Sequence, residues 1–253
     1  MRVHLFIATL VIFSMVPSLI GGTFEFVHDA SATPSPTPQE NSGKRNERPA
    51  PSPRKEEVPI KEDGSRFKYV FSQPDFIYSR MIIEHDASGK GTFSFDKKGN
   101  AETVVEDIEV SKKVLNRLNF NFDALKFLES DESYQHRRDF SHLGNVEITY
   151  SRDGKYRTVN FNWTENPHAR ALMDDYRRLS QQFTWVFELR LARDTQPLET
   201  PKMMATLDSL ITRNEIADPD QLLSFLEELS NDERLPLIAR NRARSIIQAI
   251  RKK

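Results

Sequence analysis

The chain has 253 residues, of which 29% are charged and 38% hydrophobic, and its formal net charge is −1. So near-neutral a balance argues against a nucleic-acid binder, which is normally clearly basic. The absence of cysteine excludes disulfides, thiol catalysis, cysteine-ligated zinc and a lipid on an N-terminal cysteine, so stability must come from core packing.

Met1–Gly22 carries Arg2 and then the uncharged run LFIATLVIFSMVPSLIGG, and Ala30-Ser31-Ala32 supplies small residues for cleavage. A positive start, an apolar run and that tripeptide predict a secretory signal peptide over 1–32. The alternative is an uncleaved anchor, residues 4–22, in the inner membrane. Either way the protein is expected to be exported, to the periplasm or the exterior. Thr33–Pro59 is rich in Pro, Ser and charge. It lacks the apolar surface needed to offset ordering entropy, which predicts a disordered tether over 33–63.

The first folded unit is expected over 64–194. Strands are predicted at Phe76–His85, Gly91–Asp96 and Glu102–Val110, separated by turns at Asp86–Gly89 and Lys97–Asn100. Ser111 reads as the cap of a helix carrying Val114, Leu115 and Leu118, and a second helical run is predicted at Phe122–Glu129. After a polar loop come Asn145–Ser151 and Lys155–Trp163, joined by the hairpin dipeptide Asp153-Gly154. This order predicts an α+β fold, an antiparallel sheet of about five strands with helices on one face.

Asn166–Asp194 is the longest periodic stretch. Asn166 suits an N-cap and Pro167 the first helical position. Ala169, Leu172, Met173, Tyr176, Leu179, Phe183, Val186 and Phe187 fall at helical spacing. From Phe183 the residues also alternate as a strand would, but no Gly or Pro interrupts the run, so one continuous helix is predicted. Being apolar on nearly all sides in its second half, it must lie between two layers. The remainder, 195–253, predicts a three-helix segment docked on that helix, starting at Thr200-Pro201, Asp218-Pro219 and Leu235-Pro236.

DERLPLIARNRARSIIQAI resembles the second half of a HEAT-type helical hairpin. The stretches FNWTENPHARAL, LETPKMMATLDSL and DERLPLIARNRA make Gly64–Lys253 resemble a group of uncharacterised exported bacterial proteins. That resemblance implies a compartment and no chemistry.

Candidate chemistry is sparse. A metal or proton-transfer site could be assembled from His136, Asp139 and His142 in the polar loop, with His85 beside Glu84 and Asp86, although the spacing matches no known ligand pattern. Ser65/Lys68 and Ser94/Lys97 form Ser-x-x-Lys pairs without the partner motifs that chemistry needs. Trp163, Tyr156, Asn160 and Asn162 could form an aromatic-polar platform, against which Val159, Phe161 and Trp163 read as core. The C-terminal cations, including Arg240, Arg244 and Arg251, read either as a contact for anionic lipid or an acidic partner, or as a solvated helix end. No catalytic constellation and no cofactor are expected. The sequence reads best as a non-catalytic protein-binding or structural module partnered by another envelope protein. A hydrolase using His136, Asp139 and His142 and a membrane-associated envelope component are the alternatives.

Overall fold

The computed structural model describes residues 64–252, which lie within one compact unit, Glu56–Lys253. The signal-peptide, anchor and linker assignments therefore lie outside the described residues.

The sheet has six strands, not about five: β1 (Arg66–Ser72), β2 (Tyr78–Asp86), β3 (Lys90–Lys97), β4 (Val104–Glu109), β5 (Asn145–Arg152) and β6 (Lys155–Phe161). They are ordered β4-β3-β2-β1-β5-β6, and every pairing is antiparallel. The strand missing from the sequence reading is β1, and it is central. Its sequence, RFKYVFS, does alternate, with Phe67, Tyr69 and Phe71 on the core face. It was masked by its position directly after a charged, Pro-rich stretch, even though Asp63-Gly64 offers a turn signal before it. Only pairing to β2 on one side and β5 on the other makes it a strand.

Period-2 patterning gives the sheet one buried face and one bare face that no helix covers among the described residues, where Val70 alone is buried in β1. Val159, Ile148, Tyr69, Ile83 and Phe93 are paired successively across the sheet and are all buried. Thr158, Thr149, Lys68, Glu84, Thr92 and Asp107 form the adjacent row on the bare face. The β5–β6 hairpin turns through Asp153 (φ 53°) and Gly154 (φ 77°), the two positive values that a type I′ turn requires. At Gly91, opposite His85 in β2, a Cβ would stand 1.8 Å from the Glu84 carbonyl oxygen, so only glycine fits there.

Helix α1 (Lys112–Ala124) is capped by the Ser111 hydroxyl, which accepts from the Val114 N–H. The expected second helical run at Phe122–Glu129 is not a separate helix. Phe122 belongs to α1, and Lys126 at φ 46° breaks the chain into turns that bury Leu125 and Phe127.

Helix α2 runs unbroken over Pro167–Thr195, 29 residues, or about 44 Å. The Asn166 side chain caps it, accepting from the His168 and Ala169 N–H groups. The strand-like alternation over Phe183–Leu191 has a helical cause. Phe183 and Phe187, one turn apart, lie against Phe93 and Phe95 of β3 at ring distances of 5.9 and 5.2 Å. Trp185 and Leu189, also one turn apart, belong to a second core with the C-terminal helices. Two interleaved i,i+4 pairs on different sides of one helix read as period 2.

Those helices are α3 (Thr200–Thr212), α4 (Leu223–Asn231) and α5 (Leu237–Arg251). Met204, Leu207, Leu226, Leu229, Ile246 and Ile250 fill the second core with Trp185 and Leu189. The Trp185 indole N–H donates to the Met203 carbonyl at 3.1 Å. Arg193 near the end of α2 donates to Asp232, after α4, at 2.6 Å. Among the described residues no helix is long and apolar enough to cross a membrane.

Deleting Lys202–Lys253 is expected to uncover Trp185 and Leu189 and make the remainder aggregate. A soluble, cooperatively melting truncated chain would contradict this. In the intact chain, Leu189→Ala should cost about 2–5 kcal/mol in denaturant unfolding.

Candidate functional site

The polar loop between α1 and β5 lies over the end of β6. The His136 N–H donates to the Trp163 carbonyl at 2.9 Å, and the Asn162 N–H donates to the Gln135 side-chain oxygen at 2.9 Å. Both ring nitrogens of His136 are engaged. Nδ1 accepts from the Arg138 N–H at 3.0 Å, which leaves Nε2 to donate to the Glu165 carboxylate at 3.0 Å. Asp139 accepts from the Ser141 N–H at 2.9 Å and from the Asn162 amide at 2.6 Å. His142 is exposed, and its carbonyl accepts from the Gln73 amide at 3.0 Å. The structure thus places all three predicted residues on one loop but ties His136 and Asp139 to the β6 side. Among the described residues no group of three or more His, Asp or Glu is arranged to hold a metal ion.

Trp163 lies beyond the end of β6 and is half-buried, so it is a rim residue, unlike Val159 and Phe161, which join the core. The Arg170 guanidinium covers its ring at 4.2 Å and Phe140 flanks it at 5.8 Å. Tyr156 is 77% exposed on the bare sheet face. Asn162 is committed to loop contacts, so the expected platform of Trp163, Tyr156, Asn160 and Asn162 is divided between the rim and the bare face.

Two of the C-terminal arginines work inside the molecule. Arg244 donates to the Ser230 carbonyl at the end of α4 at 2.8 Å, and Arg251 pairs with Glu227 of α4. Arg240 is half-buried, its Nε without a hydrogen-bond partner among the described residues.

Two polar clusters are assembled by the fold from residues remote in sequence, only one of whose members, His85, was a candidate. The first is a cavity of ≈ 530 Å³ between α1 and α2, lined by Arg117, Phe120, Asp174, Asp175 and Arg178. Asp175 is buried and accepts from Arg117 Nε and Nη2 at 3.1 and 3.0 Å and from Arg178 at 3.3 Å. Arg117 also donates to the Ala217 carbonyl at 3.0 Å, so the cluster joins α1, α2 and the segment before α4. The readable signal was a carboxylate set between Met173 and Tyr176 in an apolar stripe, where a charge needs a partner.

The second cluster is His85, Tyr176 and Tyr69. His85 is 3% exposed and stacks on Phe67 at 4.8 Å. Its Nδ1 lies 2.9 Å from the Asp86 carbonyl and must donate to it. Nε2 is then the acceptor for the Tyr176 hydroxyl at 3.0 Å. Tyr69 stacks parallel to Tyr176 at 5.0 Å. Burial lowers the pKa of His85 below its usual value, against the raising effect of the Asp86 carbonyl, and it pushes both tyrosine hydroxyls up. All three groups are held neutral, which fits a satisfied core network.

Comparison of the chain with protein-family models and with curated proteins finds no match.

Because the folded pKa of His85 is lowered, the unfolded chain binds more protons over the window between that value and about 6.5. His85 therefore contributes fully above about pH 6.5, and stability falls as pH drops through that window. Melting curves from pH 7.5 to 5 should show this loss, and His85→Phe should flatten it. Tyr176→Phe leaves the His85 Nε2 without its donor and should cost about 1–3 kcal/mol at neutral pH.

Proposed function

We propose that the chain is an exported, non-catalytic module that binds another protein of the cell envelope. The observation that carries this reading is the one-sided sheet. Both sheet-covering helices, α1 and α2, pack on one face, leaving the other face of the six strands uncovered among the described residues. That face carries the Lys68–Glu84 ion pair at 2.6 Å in its middle. Tyr156 and Val105, 77% and 62% exposed, stand near opposite edges. An exposed aromatic such as Tyr156 is the residue type enriched at protein-contact surfaces. Of the groups that could serve acid–base chemistry, His85, His136 and Asp139 are engaged in hydrogen bonds within the fold, and His142 is exposed. The export half of the reading rests on the N-terminal sequence.

The test is crosslinking of the tagged full-length chain in its native cell envelope, with sequencing of the mature N-terminus. The expected result is one dominant protein partner and a mature start at Thr33. A start at Met1 would move the protein to the membrane-anchored reading. A chain that stays monomeric, enriches no partner, and carries a metal lost in His136→Ala/His142→Ala would overturn the proposal in favour of a metal-dependent activity.

A further inference from the structure

Strand β4 is one outer strand of the sheet, and among the described residues no strand pairs with its outer side. The Val110 N–H donates inward, to the Gly89 carbonyl at 2.8 Å. Backbone groups alternate direction along a strand, so Val104, Glu106 and Ile108 also face β3, whereas Val105, Asp107 and Glu109 face outward. The outward direction is occupied at one end, where the Gln221 side-chain amide donates to the Glu109 carbonyl. Gln221 is in turn held by Gln182, whose amide donates to it at 2.9 Å. This side chain takes the place that a neighbouring strand would take. Beyond it, the N–H and C=O groups of Val105 and Asp107 have no partner among the described residues.

A groove of ≈ 200 Å³ runs beside this edge, between β4, α2 and α4. Its apolar wall is made by Phe183, Val186 and Phe187 of α2 and Phe225 of α4, all half-buried, with the Arg190 guanidinium over the Phe225 ring at 5.5 Å. These side chains lie on the core side of the sheet plane. On the bare-face side stand the Asp107 and Glu109 carboxylates, both exposed and neither ion-paired among the described residues. Glu106 is already paired with Arg190 at 3.6 Å. The strand edge thus offers unpaired backbone, with an apolar wall on one side and net negative charge on the other.

We propose that this edge and groove bind an extended peptide segment of the partner protein, alternating basic and apolar residues, as a seventh strand on β4. The alternation follows from geometry. Successive side chains of an added strand point to opposite faces, so every second one would enter the groove over Val186 and Phe187. The others would lie beside Asp107 and Glu109, where a lysine or arginine is complementary. The inference rests on the protein-binding reading above and assigns it a surface and a partner chemistry.

The experiment uses the full chain and a fluorescent peptide of alternating lysine and valine, measured by anisotropy. Saturable binding that weakens with salt is expected. Val105→Pro removes an outward N–H and no β3–β4 hydrogen bond, a position where an edge strand tolerates proline. It should weaken binding about tenfold or more, and Asp107→Lys should do the same. Two N-methylated probes keep the test decisive should Val105→Pro not fold. Methylation of the ladder-facing amides should abolish binding, and methylation of the alternate amides should not. Equal binding by the two methylated probes, or no binding of the parent peptide, overturns the proposal. A concentration-dependent dimer removed by Val105→Pro, with no peptide bound, overturns it in favour of a second copy as occupant. An envelope partner still captured by a Val105→Pro chain would sink this site while leaving the protein-binding reading intact.

Discussion

The whole structure depends on α2 being buried from two sides. A helix with one apolar stripe can close a sheet and leave its back in water. Residues Pro167–Thr195 instead present Leu172, Met173, Tyr176, Leu179 and Phe183 to the sheet core, and Trp185 and Leu189 to α3, α4 and α5. Neither core is complete without this helix. The polar ties follow the same plan. Asp175 gathers Arg117 of α1 and, through it, the Ala217 carbonyl ahead of α4, while Arg193 reaches Asp232 beyond α4. Hydrogen bonds from Arg234 and Arg193 hold the Asp232 carboxyl far below the usual carboxylate range, against the opposing effect of its burial.

The architecture was readable wherever local chemistry and burial agree. Asn166-Pro167 announced the start of α2, Asp153-Gly154 the hairpin, and the amphipathic spacing from Met204 to Ile250 the three final helices. Reading failed where tertiary pairing decides. RFKYVFS is a plain alternating strand, but its place in the middle of the sheet comes from pairing on both sides, with β2 just after it in the chain and with β5, which is remote. The run after Phe122 has helical composition, yet Lys126 takes a left-handed backbone so that Leu125 and Phe127 can turn into the core. The strand-like pattern at Phe183–Leu191 was a real signal with a different cause, one helix shared by two cores.

The site was less readable than the fold, because sites are made by residues far apart in sequence. His136, Asp139 and His142 attracted attention by proximity along the chain, and the structure spends two of them on Glu165 and Asn162. His85 attracted attention by standing between two acids, Glu84 and Asp86. Alternation puts it on the opposite face from Glu84, inside the core beside Tyr176. The bare sheet face and the open side of β4 have no local signature at all. They arise because both sheet-covering helices pack on the same side and because β4 comes last in the strand order.

The central claim is that α2 joins the sheet and the helical end into one cooperative unit. Native-state hydrogen exchange in increasing denaturant tests it most directly, by comparing amides of β1 and β5 with those at Ile246 and Ile247 in α5. Both sets should open with the same free energy and the same denaturant dependence, in one global event. Opening of α5 at low denaturant while β1 and β5 stay fully protected would contradict it.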